Sequence, residues 1–423
     1  MQAYAGLLGL PVFILVAWAI SENRRAFPWR AVLTGLAIQI TLGWAILCTT
    51  LGQRFFSGVD GAFRNLLSYA QEGVALVFGP LANQSLLMEK WGPTNGFIFA
   101  ITITGTIILV SALSSALYHY GILQRVVRFF AWGMHRLMGT SGSESLAAAA
   151  NIFMGQTEAP LVIKPYLATM TRSELMALMT GGMATIAGGV LAAYVGMGIQ
   201  AGHLLTASVM SAPAALLFAK IILPETETSP TADGSPDTAI ERETTNGLDA
   251  LCHGAADGMK LAINVLAMLI AFVAIVAMIN GMVSGLLEWG GITAPKPLQT
   301  ALGILNQPFA WLMGVPWKDS QLVGQMLGER VVLNEFFGYL SLNQAGSALD
   351  PRSHTIATYA LCGFANFSSI AIQIGGIGTL APNRRGDLAR LGLRSMVGGL
   401  LACYCTACIA GILLNLAPSP IVP

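Results

Sequence analysis

Apolar segments with helical spacing alternate along this chain with short polar and basic segments. Eight of the apolar segments are close to or above the roughly 20 residues that a helix needs to cross a bilayer. They predict membrane helices, numbered 1 to 8, at residues 4–21, 31–52, 96–119, 171–200, 203–222, 256–287, 320–345 and 388–416. The expected fold is an all-α polytopic membrane protein, with residues 1–423 forming a single transporter domain.

The segments between these helices have a different pattern. Residues 53–91 and 124–136 place charged side chains among apolar ones at helical spacing, and residues 295–317 look similar. This pattern is typical of interfacial helices. Residues 224–246 are rich in Thr, Glu, Ser and Pro and predict a flexible loop. Basic loops, which favour the cytoplasmic side, occur at 24–30, 125–136, 164–172 and 384–394.

One apolar stretch is interrupted halfway across. Its arms, 145–150 and 161–167, are each too short to span a bilayer, and Gly155 and Pro160 break the helix between them. The interruption carries three adjacent polar side chains, Gln156, Thr157 and Glu158. Because a charge at membrane depth must face protein or water, residues 143–168 predict a re-entrant helical hairpin. A cytoplasmic loop between two ordinary helices is the alternative.

A second stretch of the same kind covers residues 353–380. Its short arms are 355–361 and 370–380, and the tip between them is Cys362-Gly-Phe-Ala-Asn-Phe-Ser-Ser369. The side from which this second hairpin enters stays open. An inverted repeat requires the side opposite to the first hairpin, whereas the arginines that follow at 384–394 argue against it.

Two predicted membrane helices are also interrupted. Helix 4 contains Gly181-Gly182 and Thr185-Ile-Ala-Gly-Gly189, and helix 7 contains Asn334-Glu-Phe-Phe-Gly338. Breaks of this kind expose backbone carbonyls to a cation and are typical of secondary transporters. With the two hairpins they make four broken elements, as expected for a substrate site near the bilayer midplane.

Two carboxylates lie within these broken elements, Glu158 and Glu335. Together with the neighbouring amides and hydroxyls they predict a polar cavity. Carboxylates and amides bind hydroxyl groups and the N–H edges of heterocycles. No cluster of basic residues lies at membrane depth, so an anionic substrate is disfavoured. Phe364 is a candidate for stacking on a flat ring.

Composition supports the membrane assignment and excludes other classes. The chain is 54% hydrophobic and only 10% charged, whereas soluble domains carry about 25% charged residues. A net charge of +1 gives no argument for nucleic acid. The six cysteines lie mostly in apolar runs and imply no disulfide framework. An intramembrane enzyme is a remote alternative, because the chain contains neither H-E-x-x-H nor G-x-S-x-G.

Three longer motifs carry a specific resemblance. They are Gly155-Gln-Thr-Glu-Ala-Pro160, Asn334-Glu-Phe-Phe-Gly-Tyr339 and Ala360-Leu-Cys-Gly-Phe-Ala-Asn-Phe-Ser-Ser-Ile370. In this order and spacing the chain resembles the concentrative nucleoside transporter family, in its bacterial, sodium-coupled form. The resemblance covers essentially the whole chain. It implies a cell-membrane symporter of the bacterial inner membrane that assembles as a homotrimer.

The resemblance also implies roles for single residues. Sodium would be bound by the side chains of Asn151 and Thr185 and by the carbonyls of Met154 and Ile186. The nucleobase would contact Gln156, Thr157 and Glu158, and the ribose would contact Glu335, Asn366 and Ser369. Phe364 and Val190 would flank the substrate, and Leu261 would line the base pocket. Oxygen ligands of this kind suit a hard cation.

The function expected is sodium-coupled uptake of nucleosides such as uridine by alternating access. The transport part would comprise about 143–222 and 320–416, moving against a scaffold made largely of helices 1–3 and 6. A proton-coupled symporter is the main alternative, in which Glu158 or Glu335 would carry the proton. A passive channel is a further alternative, but it would need a continuous polar lining.

Overall fold

The computed structural model describes residues 5–92, 98–233, 244–291, 293–294 and 296–416, and the regular elements in these ranges are all helices. The first nine α-helices are α1 (Ala5–Ala19), α2 (Trp29–Leu47), α3 (Thr50–Phe78), α4 (Gln84–Trp91), α5 (Phe99–His119), α6 (Ile122–Met138), α7 (Gly142–Asn151), α8 (Ala159–Val162) and α9 (Arg172–Ala184). The remaining helices are α10 (Gly188–Gly196), α11 (Ala201–Ile222), α12 (Gly247–Trp289), α13 (Pro297–Leu312), α14 (Trp317–Val332), α15 (Glu335–Ala345), α16 (Pro351–Leu361), α17 (Phe367–Leu380) and α18 (Arg385–Leu413).

Six spans in the described ranges are long and apolar enough to cross a membrane. They are α2, α5, α9 with α10, α11, α12 and α18. The shorter apolar helix α1 and the consecutive helices α14 and α15 account for predicted helices 1 and 7. The all-α polytopic fold is therefore confirmed. The amphipathic helices predicted between the spans are also present, as α3, α4, α6 and α13.

Helix α12 is longer than the sequence pattern predicted. The pattern placed its start near residue 256, whereas it begins at Gly247 and has 43 residues. The side chain of Asn246 caps this start by accepting a hydrogen bond from the Asp249 N–H at 2.9 Å. At 1.5 Å per residue the helix is about 65 Å long, roughly twice the thickness of the hydrocarbon core.

Predicted helix 4 has one break where the sequence suggested two. Helix α9 continues through Gly181 and Gly182 to Ala184, and only residues 185–187 separate it from α10. The interruption predicted at the glycine pair is therefore wrong. A Cβ on Gly181 would lie 3.0 Å from Asn151 Nδ2, and one on Gly182 would lie 2.6 Å from Gln373 Nε2. These glycines allow close approach of neighbouring side chains and do not interrupt the helix.

Predicted helix 7 is interrupted where the motif indicated. Helix α14 ends at Val332 and α15 begins at Glu335. Asn334 adopts an extended conformation, and its side-chain oxygen accepts a hydrogen bond from the Phe337 N–H. This is an N-cap, so the asparagine of the motif starts the second half of the helix and places Glu335 in its first turn.

Each of the two segments predicted as a re-entrant hairpin contains two helical arms joined by a turn, but the two are built differently. The first hairpin comprises α7, the turn 152–158, the four-residue α8 and a short 3₁₀ turn at Lys164–Tyr166. The second hairpin joins two regular helices, α16 and α17, through residues 362–366. Asn366 is the N-cap of α17 and accepts a hydrogen bond from the Ser369 N–H at 2.9 Å.

A buried polar cluster anchors the base of the first hairpin. Glu174 Oε1 accepts hydrogen bonds from the hydroxyls of Ser141, Ser143 and Ser229 at 2.5–2.9 Å. Lys220 forms an ion pair with Glu144 at 2.7 Å. Ser229 belongs to the segment predicted as a flexible loop, and this part of it is hydrogen-bonded to the hairpin base. Residues 234–243 of that predicted loop lie outside the described residues.

Candidate functional site

The tip of the first hairpin lies against the break between α9 and α10. The Phe153 carbonyl accepts a hydrogen bond from the Gly188 N–H at 3.1 Å. A Cβ on Gly155 would lie 3.0 Å from the Ala187 side chain. On the other side, the Ser208 hydroxyl of α11 donates to the Ile152 carbonyl at 3.0 Å. The turn 152–155 is therefore held directly beside residues 185–188.

The four residues assigned to sodium lie in or next to this contact, and all four are buried. Asn151 donates from Nδ2 to the Ala147 carbonyl at 3.0 Å, while its buried Oδ1 has no hydrogen-bond partner in the described structure. The Thr185 hydroxyl donates to the Gly181 carbonyl at 2.9 Å, which leaves its oxygen lone pairs available. Met154 lies in the turn 152–155 and Ile186 lies in the break 185–187, and each would offer its backbone carbonyl.

A buried acceptor without a hydrogen-bond partner costs folding free energy, and a bound cation would remove this cost. The donor set consists of neutral oxygens, which suits a hard monovalent cation better than a soft transition metal. Within the described ranges, no cluster of three His, Cys, Asp or Glu residues is placed to bind a metal ion. The residues present therefore fit sodium as a transported ion.

A continuous series of hydrogen bonds joins the two hairpin tips. Gln156 Nε2 donates to the Ser369 hydroxyl at 3.0 Å. The Ser369 N–H donates to Asn366 Oδ1, and Asn366 Nδ2 donates to Glu335 Oε2 at 2.9 Å. The structure thus connects four of the predicted site residues, which come from the first hairpin, the second hairpin and α15.

Two further residues extend this series, and the sequence reasoning missed both. The Tyr194 hydroxyl donates to Glu335 Oε1 at 3.0 Å. Gln373 Nε2 donates to Gln156 Oε1 at 3.2 Å and to the Met179 carbonyl at 3.0 Å. Both side chains are fully buried or nearly so. A signal was available for Gln373, because it lies one helical turn beyond Ser369 in an otherwise apolar arm.

We call these six residues the hydrogen-bond chain: Gln373, Gln156, Ser369, Asn366, Glu335 and Tyr194.

The remaining predicted site residues lie outside the hydrogen-bond chain. Thr157 and Glu158 are exposed at the first hairpin tip. Val190 and Phe364 are buried. Leu261 of α12 lies close to Gly189, since a Cβ at that glycine would be 3.5 Å from its side chain. Val190 and Leu261 therefore lie on facing elements, α10 and α12.

A buried arginine near the break in α14–α15 was also missed. Arg330 has no exposed surface, and its guanidinium donates to the Ala360 carbonyl and to Cys403 Sγ, the latter at 3.4 Å. Ala360 lies at the end of α16, one residue before the second hairpin turns. Arg330 therefore holds the second hairpin against α14.

Three family models match this chain in succession. Residues 8–81 match the Na+ dependent nucleoside transporter N-terminus, residues 100–201 match the nucleoside recognition (Gate) domain, and residues 203–411 match the Na+ dependent nucleoside transporter C-terminus. This chain belongs to the concentrative nucleoside transporter family. The resemblance carried by the three sequence motifs is therefore confirmed.

Relatives support the assignment over the full length. The chain is 44% identical to an uncharacterized transporter of Haemophilus influenzae, over 98% of this chain and 99% of that protein. It is 40% identical to the nucleoside permease NupC of Helicobacter pylori, over 97% of both chains. Among solved structures, CNTnw in an inward-facing substrate-bound state matches with a TM-score of 0.92, 40% identity and full coverage of both chains.

Family membership establishes the class of protein. This concentrative nucleoside transporter is a multi-pass membrane protein and not an enzyme. Its bacterial relatives indicate the inner membrane, and its family implies sodium co-transport.

Proposed function

We propose that this chain is a sodium-coupled symporter that moves nucleosides such as uridine into the cell by alternating access. The observation that carries the proposal is the hydrogen-bond chain, which links both hairpin tips to both broken helices. A substrate bound there contacts every broken element at once. CNTnw, at 39–40% identity, has been solved in inward-facing, outward-facing and intermediate states, with TM-scores to this chain of 0.89 to 0.93.

The proposed sodium site comprises the side chains of Asn151 and Thr185 and the carbonyls of Met154 and Ile186. The unpartnered Asn151 Oδ1 supports it, because sodium would satisfy that buried oxygen. Bound sodium would hold the turn 152–155 against the helix break and so position Gln156 for the substrate. The coupling is reciprocal, so the nucleoside raises the affinity for sodium by the same factor.

The proposed nucleoside site divides along the hydrogen-bond chain. Gln156, Thr157 and Glu158 take the base, and Glu335, Asn366 and Ser369 take the ribose hydroxyls. The Glu335 carboxylate is an acceptor that suits two donating hydroxyls. Val190 and Phe364 flank the substrate, and Leu261 lines the base pocket from α12.

We further propose the division into moving and static parts. Residues 143–222 and 320–416 form the transport part, and predicted helices 1–3 and 6 form most of the scaffold. Extensive packing of α12 along α5 supports a paired scaffold, against which α10 lies. Apolar side chains exposed on α12, among them Ile270 and Met282, are available to lipid or to the other protomers of a homotrimer.

Uptake of radiolabelled uridine by proteoliposomes tests the proposal. The purified protein is assayed with an inward sodium gradient, with a proton gradient, or with neither. We expect uphill uptake with sodium alone. Uphill uptake with protons alone would keep the nucleoside assignment and move the coupling to a carboxylate. Absence of uptake and of uridine binding by folded protein would contradict uridine as a substrate.

A further inference from the structure

Gln373 connects three elements at the back of the proposed nucleoside site. It lies on α17 and is 1% exposed. Its Nε2 donates both to the Met179 carbonyl of α9 and to Oε1 of Gln156 at the first hairpin tip. Gly182 makes room for this contact, since a Cβ there would lie 2.6 Å from Gln373 Nε2 and 2.9 Å from Gln156 Cβ.

The two backbone groups at this site determine which way each side-chain amide points. The Met179 carbonyl can only accept, so the atom of Gln373 that faces it must be the amide nitrogen. That nitrogen also faces Gln156, so the nearer Gln156 atom must be its carbonyl oxygen. The Gln156 nitrogen is then turned to Ser369, as observed at 3.0 Å.

The same reasoning applies from the other end. The Ser369 N–H can only donate, so the Asn366 atom bonded to it is the carbonyl oxygen. The Asn366 nitrogen therefore donates to the Glu335 carboxylate. The two halves of the site thus differ in polarity, with an amide donor at Gln156 and a carboxylate acceptor at Glu335.

We propose that Gln373 is a positioning residue for base selectivity: it holds the Gln156 carbonyl, so Gln156 can offer the base only N–H donors. Within the described structure, the Gln156 nitrogen is bonded to Ser369 alone, and its second hydrogen remains for the substrate. Nucleosides whose base presents a carbonyl oxygen to this point are favoured over those that present hydrogen or a weaker acceptor. This inference rests on the proposed nucleoside site and adds the polarity of one contact.

Displacement of bound radiolabelled uridine by analogues, in the presence of sodium, measures this polarity. The panel comprises uridine and analogues in which one base carbonyl is replaced by a thiocarbonyl or by C–H. We expect one position at which the wild-type protein prefers the carbonyl by about 3- to 10-fold, the range for one neutral hydrogen bond. Equal affinity for the whole panel would overturn the proposal.

Gln373→Met keeps the length of the side chain and removes its donors, so the Gln156 amide is free to rotate. We expect the preference at that position to fall to within about 2-fold. Gln39→Met is the matched control, because Gln39 is also a fully buried glutamine on a membrane helix but bonds only to the Gly35 carbonyl. Its preference should equal that of the wild type.

A variant that lacks the Gln156 amide distinguishes positioning of that amide from a general packing effect of Gln373. In a Gln156→Ala protein the preference is already lost, and adding Gln373→Met should change the analogue ratios no further. An unchanged preference in Gln373→Met, or a further change of ratio in the double variant, would overturn the proposal. If Gln373→Met does not fold, Gln373→Asn is used, because it is too short to bridge Met179 and Gln156. Failure of the wild type to bind uridine would instead refute the proposed function.

Discussion

The two hairpins both contribute residues to the hydrogen-bond chain, but they are constructed differently. All ten residues of α7 in the first hairpin are buried, and its return arm is short and irregular. The second hairpin returns through a regular helix, α17, which buries Ser369, Gln373 and Ile377 on one face and leaves Phe367 exposed. The first arm of the first hairpin is thus enclosed, whereas the return arm of the second presents one face to the protein and the other outward.

The difference follows from where each hairpin is anchored. The first is anchored at its base by the Glu174 and Glu144–Lys220 cluster. The second is anchored at its tip by the Asn366 cap and by Arg330 at the end of α16. We infer that the first tip responds to the cation, while the second provides a rigid acceptor and donor set for the substrate.

The largest effect is expected for Glu335, the α15 carboxylate that is bonded to the second hairpin tip. Glu335→Gln removes a charged acceptor that now receives bonds from Tyr194 and Asn366. Loss of a hydrogen bond to a charged group should weaken uridine binding by about 1.5–3 kcal/mol, or roughly 10- to 150-fold in Kd. Equilibrium binding of labelled uridine measures this. Glu329→Gln, a buried carboxylate of α14 that bonds to Ser341 instead, is the control. Wild-type affinity in Glu335→Gln would refute the ribose assignment.

At the first hairpin, Asn151→Ala should weaken the binding of sodium. Removing one of the proposed oxygen ligands should shift the sodium activation curve of uptake to higher concentrations by about tenfold, with a smaller effect on stability. Thr180→Ala is the control, because Thr180 also carries a buried oxygen without a hydrogen-bond partner but lies against α18. If Asn151→Ala keeps the parental activation curve, the cation binds elsewhere.

A smaller effect is expected where Tyr194 of α10 meets Glu335. Tyr194→Phe removes one hydroxyl donor while the ring packing against Phe336 and Tyr339 remains. Uridine affinity should fall by about 3- to 10-fold, less than for Glu335→Gln. Tyr339→Phe, which removes a bond to the Thr358 carbonyl, should leave affinity closer to wild type. A larger loss in Tyr339→Phe than in Tyr194→Phe would contradict this ranking.

The smallest effect is expected for Glu22, which forms ion pairs with both helices that follow the hairpins, α9 and α18. Glu22 bonds to Arg172 at the start of α9 and to Arg394 of α18. The Arg172 hydrogen bond, assisted by Arg394, lowers the pKa of Glu22 below its ordinary value, while partial burial acts in the opposite direction. Its stabilising contribution is therefore present at neutral pH and lost as the pH falls through the lowered pKa.

Because Glu22 is about one-third exposed, this contribution should be under about 1 kcal/mol. Glu22→Gln should lower the Tm slightly at pH 7 and should show no difference from wild type at a pH below the native pKa. Thermal unfolding in detergent at a series of pH values measures this. A Tm difference that is independent of pH would mean that Glu22 acts through packing and not through its charge.

Much of this architecture was predictable from local sequence. Polar residues between half-length apolar arms identified both hairpins, and the Asn334 motif identified the break before α15. Helix 4 was predicted to begin at residue 171, and Thr171 is the N-cap of α9, in a capping box with Glu174. Each of these signals is local, because helix caps and breaks depend on side chains within about four residues.

The errors arose where the local structure depends on a contact with a residue that is distant in the sequence. Gly181 and Gly182 resemble a helix break but make room for Asn151 and Gln373. The segment around Ser229 has the composition of a flexible loop but is bonded to Glu174. In both cases local propensity is a weak prior that tertiary contacts override.

The sequence by itself determined that this chain is a membrane transporter of nucleosides, with polar groups at two hairpin tips and two helix breaks. Only the tertiary structure decided how those groups connect: which amide donates, which oxygen is left unpaired at Asn151, and that Tyr194 and Gln373 belong to the hydrogen-bond chain. The physical reason is that hydrogen-bond direction depends on atoms brought within about 3 Å from residues up to 217 positions apart. No local pattern encodes that approach.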